Sequence, residues 1–192
     1  MILGITGGLG CGKSTVARLL ERRGFKRLDS DVLVRERVLT DAGVIAALQG
    51  RYGSSILDPE GAVDRSKLAE KVFNDDKELA FLEELVHPRV FALRRAALAE
   101  DPKGPWAVEA QLLFEKSLEK WFDFIVCVAC APEQQLVRLE QRGLSRTFAG
   151  QRISKQLPLA RKIESSDFVL WNEGSPAFLE AQVDRLVASL PR

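Results

Sequence analysis

Residues Gly7 to Thr15 read GGLGCGKST and follow directly on an apolar run, Ile2-Leu3-Gly4-Ile5. Gly7-x-x-x-x-Gly12-Lys13-Ser14 is the complete phosphate-loop pattern: a glycine at each end, then a lysine, then a hydroxyl residue. The glycines let the backbone curl so that successive N–H groups converge on phosphate oxygens. A helix beginning at about Gly12 adds its N-terminal dipole to the same anion site. Lys13 reaches β- and γ-phosphates as a point charge, and the Ser14 hydroxyl is a ligand for Mg²⁺. The cradle for a nucleoside triphosphate is therefore Gly8, Gly10, Cys11, Gly12, Lys13, Ser14 and Thr15.

With 192 residues, 46% of them hydrophobic, the chain can build one sizeable core with an inserted subdomain. A net charge of +1 gives no bulk attraction to nucleic acid or to an anionic membrane. The chain enters a strand without a basic leader, and no apolar stretch approaches membrane-spanning length, so a soluble cytoplasmic protein is expected. Cys127 and Cys130 form a CxxC inside an apolar strand-like run, with no second pair or histidines to complete a zinc site. In a strand, positions three apart face opposite sides, so these read as structural cysteines. Cys11 reads as a small filler in the loop whose backbone matters more than its thiol.

Strands alternate with helices along the chain, which predicts a parallel sheet covered on both faces. Val16, Leu19 and Leu20 make a helical stripe ended by Gly24, and Phe25 to Leu28 form a second strand. Further strands are expected at Trp106–Glu109, Phe124–Ala129 and Phe168–Trp171. Ser175-Pro176 starts a last helix carrying Leu179, Val183, Leu186 and Leu190. The long interval after the second strand reads as mainly helical, with a capping box at Asp75–Glu78 and a new helix opened by Pro88. The expected fold class is α/β: a three-layer sandwich on a five-stranded parallel sheet of the phosphate-loop kinase type. Its core is 1–31, 103–137 and 160–192, with a helical acceptor-binding insertion at 32–102 and a small lid at 138–159.

Pro132 begins a helix followed by Arg138, Arg142, Arg146 and Arg152. Arg138 and Arg142 are four apart on one helical face, and guanidinium groups suit a triphosphate whose γ-phosphoryl carries transition-state charge. Arg146 and Arg152 are equally readable as a solvated basic face. Gly143 is placed to act as the hinge of a closing lid.

Phosphoryl transfer to an alcohol needs a carboxylate that orients the hydroxyl and accepts its proton. Asp29 and Asp31 lie past the second strand, at the carboxyl edge where open α/β sheets bind ligands. Asp31 is the candidate base, and Asp29 or Ser30 reads better as a helix cap. Glu109 could hold metal-bound water, and Glu115 either faces the acceptor or caps its own helix. His87, the only histidine, stands before Pro88 and reads more readily as a helix-entry residue than as a substrate contact. The candidate acceptor contacts are Asp31, Arg35, His87 and Glu115.

Together these residues resemble the dephospho-coenzyme A kinase family, nearly end to end. The family's opening resembles Gly4 to Thr15, usually with Ser where Cys11 stands. Its Asp-x-Asp matches Asp29-Ser30-Asp31, its His-Pro matches His87-Pro88, and its Leu-Leu-Phe-Glu matches Leu112 to Glu115, followed by Leu118-Glu119-Lys120. Its lid motif matches Arg152-Ile153-Ser154-Lys155-Gln156, with Pro158-Leu159 and Lys162-Ile163 in register. The resemblance implies ATP-dependent phosphorylation of the ribose 3′-hydroxyl of dephospho-CoA, with Mg²⁺ and with Asp31 as base, the last step of coenzyme A synthesis. It also implies that Asn172 contacts the adenine edge.

The chain departs from the family pattern at Gln111, at Gly143 directly after Arg142, and at Trp171 and Glu173 around Asn172. Another small-molecule kinase of the same architecture is the alternative reading. A nucleotide-dependent switch is disfavoured, because neither an Asn-Lys-x-Asp nor an Asp-x-x-Gly switch motif is present.

Overall fold

The computed structural model describes residues 1–72 and 75–191. The chain divides into two compact units, Met1–Leu28 with Lys103–Arg192, and Asp29–Pro102. In the first, β1 (Ile2–Gly7), β2 (Lys26–Asp29), β3 (Trp106–Glu109), β4 (Phe124–Ala129) and β5 (Phe168–Trp171) form one parallel sheet in the order β2-β3-β1-β4-β5. The central strand pairs Ile5 with Glu109 on one side and with Val126 on the other.

A strand paired on both edges and covered on both faces must be apolar throughout. Accordingly β1 is buried from Leu3 to Gly7. Leu3, Ile5, Val126 and Val128 point to one face, where α1 (Lys13–Glu21) supplies Val16, Leu19 and Leu20. On the same face α9 (Pro176–Ser189) supplies Leu179, Val183 and Leu186. Ile125 points to the other face, packing with Ala110 and Leu113, and α8 (Leu159–Glu164) lies against β1 and β4. These are the three layers expected from the alternation of strands and helices. Gly4 is required in the middle layer because a Cβ there would stand 2.7 Å from the Phe122 ring and 2.8 Å from Leu113.

The second unit has its own core of Val38, Val44, Leu48, Ile56, Leu68, Val72, Val86 and Val90. It comprises α2 (Ser30–Leu33) running into a π turn at Val34–Val38, then α3 (Ala42–Tyr52), α4 (Arg65–Val72) and α5 (Asp76–Glu100). Pro88 does not open a new helix. It lies inside the 25-residue α5, despite a cost of about 3 kcal/mol for an interior proline. Buried Val86 and Val90 flank it, so core packing on both sides carries the helix through. His87 is consequently a mid-helix residue and not a helix entry. Asp75 does cap α5, accepting from Lys77 N–H at 2.8 Å. Glu78 instead pairs with Arg51 at 2.6 Å and accepts from Tyr52 Oη at 2.7 Å. That pairing holds the Glu78 carboxyl down at about 2 and ties α5 to α3.

Candidate active site

The phosphate loop is a turn whose side-chain space is already filled. Gly7 has φ 137°, and a Cβ there would lie 2.1 Å from the Val128 carbonyl oxygen. Gly12, at φ 102°, precedes the first residue of α1, and a Cβ there would stand 2.2 Å from Asn172 Nδ2. Both positions admit only glycine, for sterics as well as backbone conformation. Between them Cys11 N–H donates to Gly8 O at 3.2 Å, and past Gly12 the Thr15 and Val16 N–H groups both turn back to its carbonyl. Lys13 Nζ donates to the carbonyls of Gly7 at 3.2 Å and Gly8 at 2.9 Å, bridging the loop from its helix end.

Two later segments lock this loop from behind. The Cys11 carbonyl accepts from Asn172 Nδ2 at 2.8 Å and from Arg138 at 3.5 Å. Arg138 also donates to Asn172 O at 2.7 Å, and Asn172 N–H donates to Ala129 O at 2.8 Å. Arg138 lies on α6 (Pro132–Glu140) and Asn172 directly after β5, so residues far apart in sequence meet on one carbonyl. Trp171, an apparent departure from the family pattern, keeps the strand regular. The Gln182 side chain of α9 accepts from its N–H at 2.9 Å and donates to its carbonyl at 2.8 Å.

Beside the loop lies a cleft of about 470 Å³, walled by Gly10, Gly12, Thr15, Arg138, Arg142 and Asn172. It is also lined by Arg18 of α1, by Arg22 at that helix's C-cap, and by Leu179 and Glu180 of α9. A cavity of this size with a few convergent polar groups matches the usual small-molecule site. The structure thus brings together the loop, Arg138, Arg142 and Asn172, all of them singled out in the sequence. Arg18 on α1 and Arg22 at its C-cap, four apart, were not singled out, although that spacing was their signal.

Gln135 was missed as well, since a single glutamine carries no motif. It is buried, its Nε2 donates to Cys11 Sγ at 3.1 Å, and it fills the space a Cβ on Gly8 would need. Arg142 stands where α6 ends in a Schellman turn, with Gly143 N–H bonded to Glu140 O and Leu144 N–H to Leu139 O. Arg146, in α7 (Arg146–Ser154), is claimed by the carboxylates of Glu133 and Glu140.

The acidic candidates separate clearly. Asp29 is the cap of α2, its Oδ1 accepting from Asp31 N–H at 3.0 Å and Val32 N–H at 3.2 Å. Asp31 is in the first turn of that helix and exposed. Arg35 lies in the π turn and pairs with Glu36 at 2.6 Å. His87 packs its ring by Phe91, with centroids 6.3 Å apart. Glu109 is held by Arg27 at 2.8 Å in a largely buried pair, a ready structural account of a strand-end carboxylate. Glu115 caps no helix of its own. It pairs at 2.8 Å with Lys162, whose side chain is wholly buried, and accepts from Leu157 N–H at 2.9 Å. Lys162 also donates to Gln111 O at 3.0 Å, so Gln111 serves through its backbone.

Among the described residues no group of three or more His, Cys, Asp or Glu could cage a metal. A single hydroxyl at the loop exit fits Mg²⁺ nonetheless, because that ion keeps several waters and takes its other ligands from substrate phosphates. No described helix is long and apolar enough to cross a membrane.

A sequence profile described as dephospho-CoA kinase matches residues 1–177. The chain belongs to the dephospho-CoA kinase family. A protein named dephospho-CoA kinase from Thermosynechococcus vestitus is 46% identical over 192 residues, covering 99% of this chain and 95% of the relative. A crystal structure from Thermus thermophilus superposes with a TM-score of 0.87 at 35% identity, covering 100% of this chain and 98% of that one. A structure of dephospho-CoA kinase from Campylobacter jejuni gives a TM-score of 0.71 at 25% identity, covering 97% and 95%. Membership of this kinase family agrees with the phosphate loop and with the five-stranded parallel sheet that carries it.

Proposed function

We propose that the chain transfers the γ-phosphoryl group of ATP to the ribose 3′-hydroxyl of dephospho-CoA, releasing coenzyme A and ADP. The observation that carries this reading is the glycine-walled loop opening on the cleft of Arg138, Arg142 and Asn172, in a chain matched to the family over residues 1–177. The reading places the protein in the cytoplasm, with ATP and dephospho-CoA as its small-molecule substrates and neither nucleic acid nor membrane as a partner.

In this mechanism the loop N–H groups from Gly8 to Thr15 and the N-terminus of α1 receive the phosphates. Lys13 exchanges its two loop carbonyls for β- and γ-oxygens, so its charge is already aimed where negative charge grows. Arg142 reaches the transferring group from the end of α6, and Arg138 lies along the base, its position fixed by the Cys11 and Asn172 carbonyls. Bound at Ser14 and the phosphates, Mg²⁺ would neutralise charge on the β- and γ-oxygens. Asp31 aligns the acceptor hydroxyl and takes its proton, while Asp29 holds the helix that presents it. Arg35, His87 and Glu115 complete the proposed acceptor contacts. Residues 32–102 act as the acceptor-binding insertion, and 138–159 as the lid.

The deciding experiment incubates purified protein with ATP–Mg²⁺ and dephospho-CoA and reads the product by mass and by its 3′-phosphate. Gain of one phosphoryl group at that position is expected. Transfer to AMP, shikimate or gluconate, with dephospho-CoA untouched, would replace this reading by that of another small-molecule kinase.

A further inference from the structure

In sequence Cys11 reads as filler, but its thiol has close and specific company. Cys130, just past the end of β4, donates its S–H to Cys11 Sγ at 3.4 Å, and Gln135 Nε2 donates to the same sulfur at 3.1 Å. Cys127, the third cysteine, lies on β4 three residues earlier, on the opposite sheet face. The close pair is therefore Cys11 and Cys130. We propose that Cys11 and Cys130 form a peroxide-driven, reversible disulfide that switches off the phosphate loop.

The chemistry is set by these surroundings. Hydrogen bonding from Cys130, helped by the Lys13 ammonium and Gln135 and opposed by burial, draws the Cys11 thiol down to about 7. Cys11 is the nucleophile, since the thiolate is the reactive form. Its sulfur attacks one oxygen of hydrogen peroxide, the O–O bond breaks, and after protonation the products are Cys11 sulfenic acid and water. Cys130 sulfur then attacks the sulfenic sulfur; the S–S bond forms, the S–O bond breaks, and the thiol proton leaves with the hydroxyl as a second water. The Cys130 thiol is pushed up first by its bond to Cys11 and then by burial. The first of these effects ends once Cys11 has become a neutral sulfenic acid. Thiol reductant returns both sulfurs to thiols by exchange.

Both side chains are buried, Cys11 at 0% and Cys130 at 1% exposure. That favours a small oxidant such as hydrogen peroxide over a bulky one such as glutathione disulfide. Burial also keeps the bridge internal. Cys127 is not a competitor: burial pushes its thiol up to about 11.

The functional consequence follows from what Cys11 holds. A disulfide brings its sulfurs to about 2.0 Å, so the pair must close by more than an ångström from 3.4 Å. The Cys11 carbonyl anchors Asn172 and Arg138, and its neighbours Gly10 and Gly12 wall the cleft. Lys13 is two residues away. A misplacement of about 1 Å in such a site costs up to roughly 10²-fold in rate.

The test treats reduced whole protein with hydrogen peroxide, quenches with catalase, and measures thiols, mass, peptide links and kinase activity. Expected are loss of two of the three thiols, a mass lower by two hydrogens, and a Cys11–Cys130 linked peptide. Turnover should fall by about tenfold to a hundredfold and return with dithiothreitol. Glutathione disulfide should leave all three thiols intact. The Cys130→Ala variant keeps Cys11 but cannot close the bridge, and dimedone should label its Cys11 after peroxide. Retention of three thiols, a link through Cys127, or turnover unaffected by a formed Cys11–Cys130 link would each overturn the proposal. Peptide mapping of the wild-type protein decides the matter even if Cys130→Ala does not fold.

Discussion

The phosphate loop and the stretch from Asp29 to Val38 both follow a strand of the same sheet, and they are built in opposite ways. In the loop, apart from the two bonds on Cys11 Sγ, the bonds run to or from the backbone, and the space for side chains is closed by Val128, Gln135 and Asn172. In the second stretch the backbone is a short helix, capped by Asp29 and running into a π turn, and the side chains of Asp31 and Arg37 are exposed. Phosphate is gripped by N–H groups, so the sequence must exclude side chains at fixed positions, and that exclusion is itself a pattern. The proposed acceptor contacts of this stretch are side chains on helices, each of which has an ordinary structural use as well. Arg35 illustrates the point, since its pairing with Glu36 is between half-exposed groups worth well under about 1 kcal/mol.

The largest expected effect tests the helical stretch. Asp31→Asn removes the charge and the basicity of a group that is not the helix cap, because Asp29 fills that role. Turnover should fall by about 10²–10⁴ with ATP binding and melting temperature unchanged. Near-wild-type kcat would remove Asp31 from the chemistry. Asn in place of Asp29 is an equally good cap, and that variant should stay folded.

Next comes the loop. Lys13→Ala takes away the charged side chain that bridges the loop carbonyls. It should cut kcat at least about a hundredfold, roughly 3 kcal/mol of transition-state stabilisation, and weaken nucleotide binding less. An enzyme retaining most of its turnover would show that the backbone suffices without the lysine, and would sharpen the contrast to an extreme.

The fold was readable for the same reason that the loop was. Strands β3, β4 and β5 have the bounds expected from their apolar runs, and α9 begins at the Ser175-Pro176 cap. What could not be read are features decided by distant partners. Pro88 looks like a boundary because its missing N–H is a local fact, whereas the Val86 and Val90 packing that carries α5 through it is not. Glu115 and Lys162 are 47 positions apart, and nothing near either residue announces a buried pair. The anchoring of Cys11 by Arg138 and Asn172 is equally non-local. Arg138 and Asn172 were singled out in the sequence as candidate nucleotide contacts, and their support of the loop was not legible there.

That double role separates the two cleft arginines. Arg138 spends its guanidinium on two carbonyls, while Arg142 lines the cleft at the helix end. Arg142→Lys should lower kcat by about tenfold with little change in ATP binding, since Lys loses the bidentate fork. Arg138→Lys should mainly raise the KM for ATP. Steady-state kinetics on both variants would show equal, negligible effects if the cleft arginines were only a solvated face.

The smallest effect is expected at Arg146, and it tests whether a basic residue near the cleft must serve it. Arg146 is half-exposed and already lies between Glu133 and Glu140, joining α7 to α6 on the surface. Those two carboxylates raise its pKa, chiefly through the hydrogen bond to Glu133, so its charge is spent locally. Arg146→Ala should leave kcat and the KM for ATP within about twofold of wild type, as expected for an exposed ion pair. Any slight loss in melting temperature should shrink in high salt, because the pairs are solvent-screened. A tenfold fall in kcat at unchanged melting temperature would instead mean that Arg146 leaves both glutamates to meet the phosphates. The α6–α7 segment would then have to rearrange during turnover, and the firm, backbone-built character of the donor side would end at Arg142.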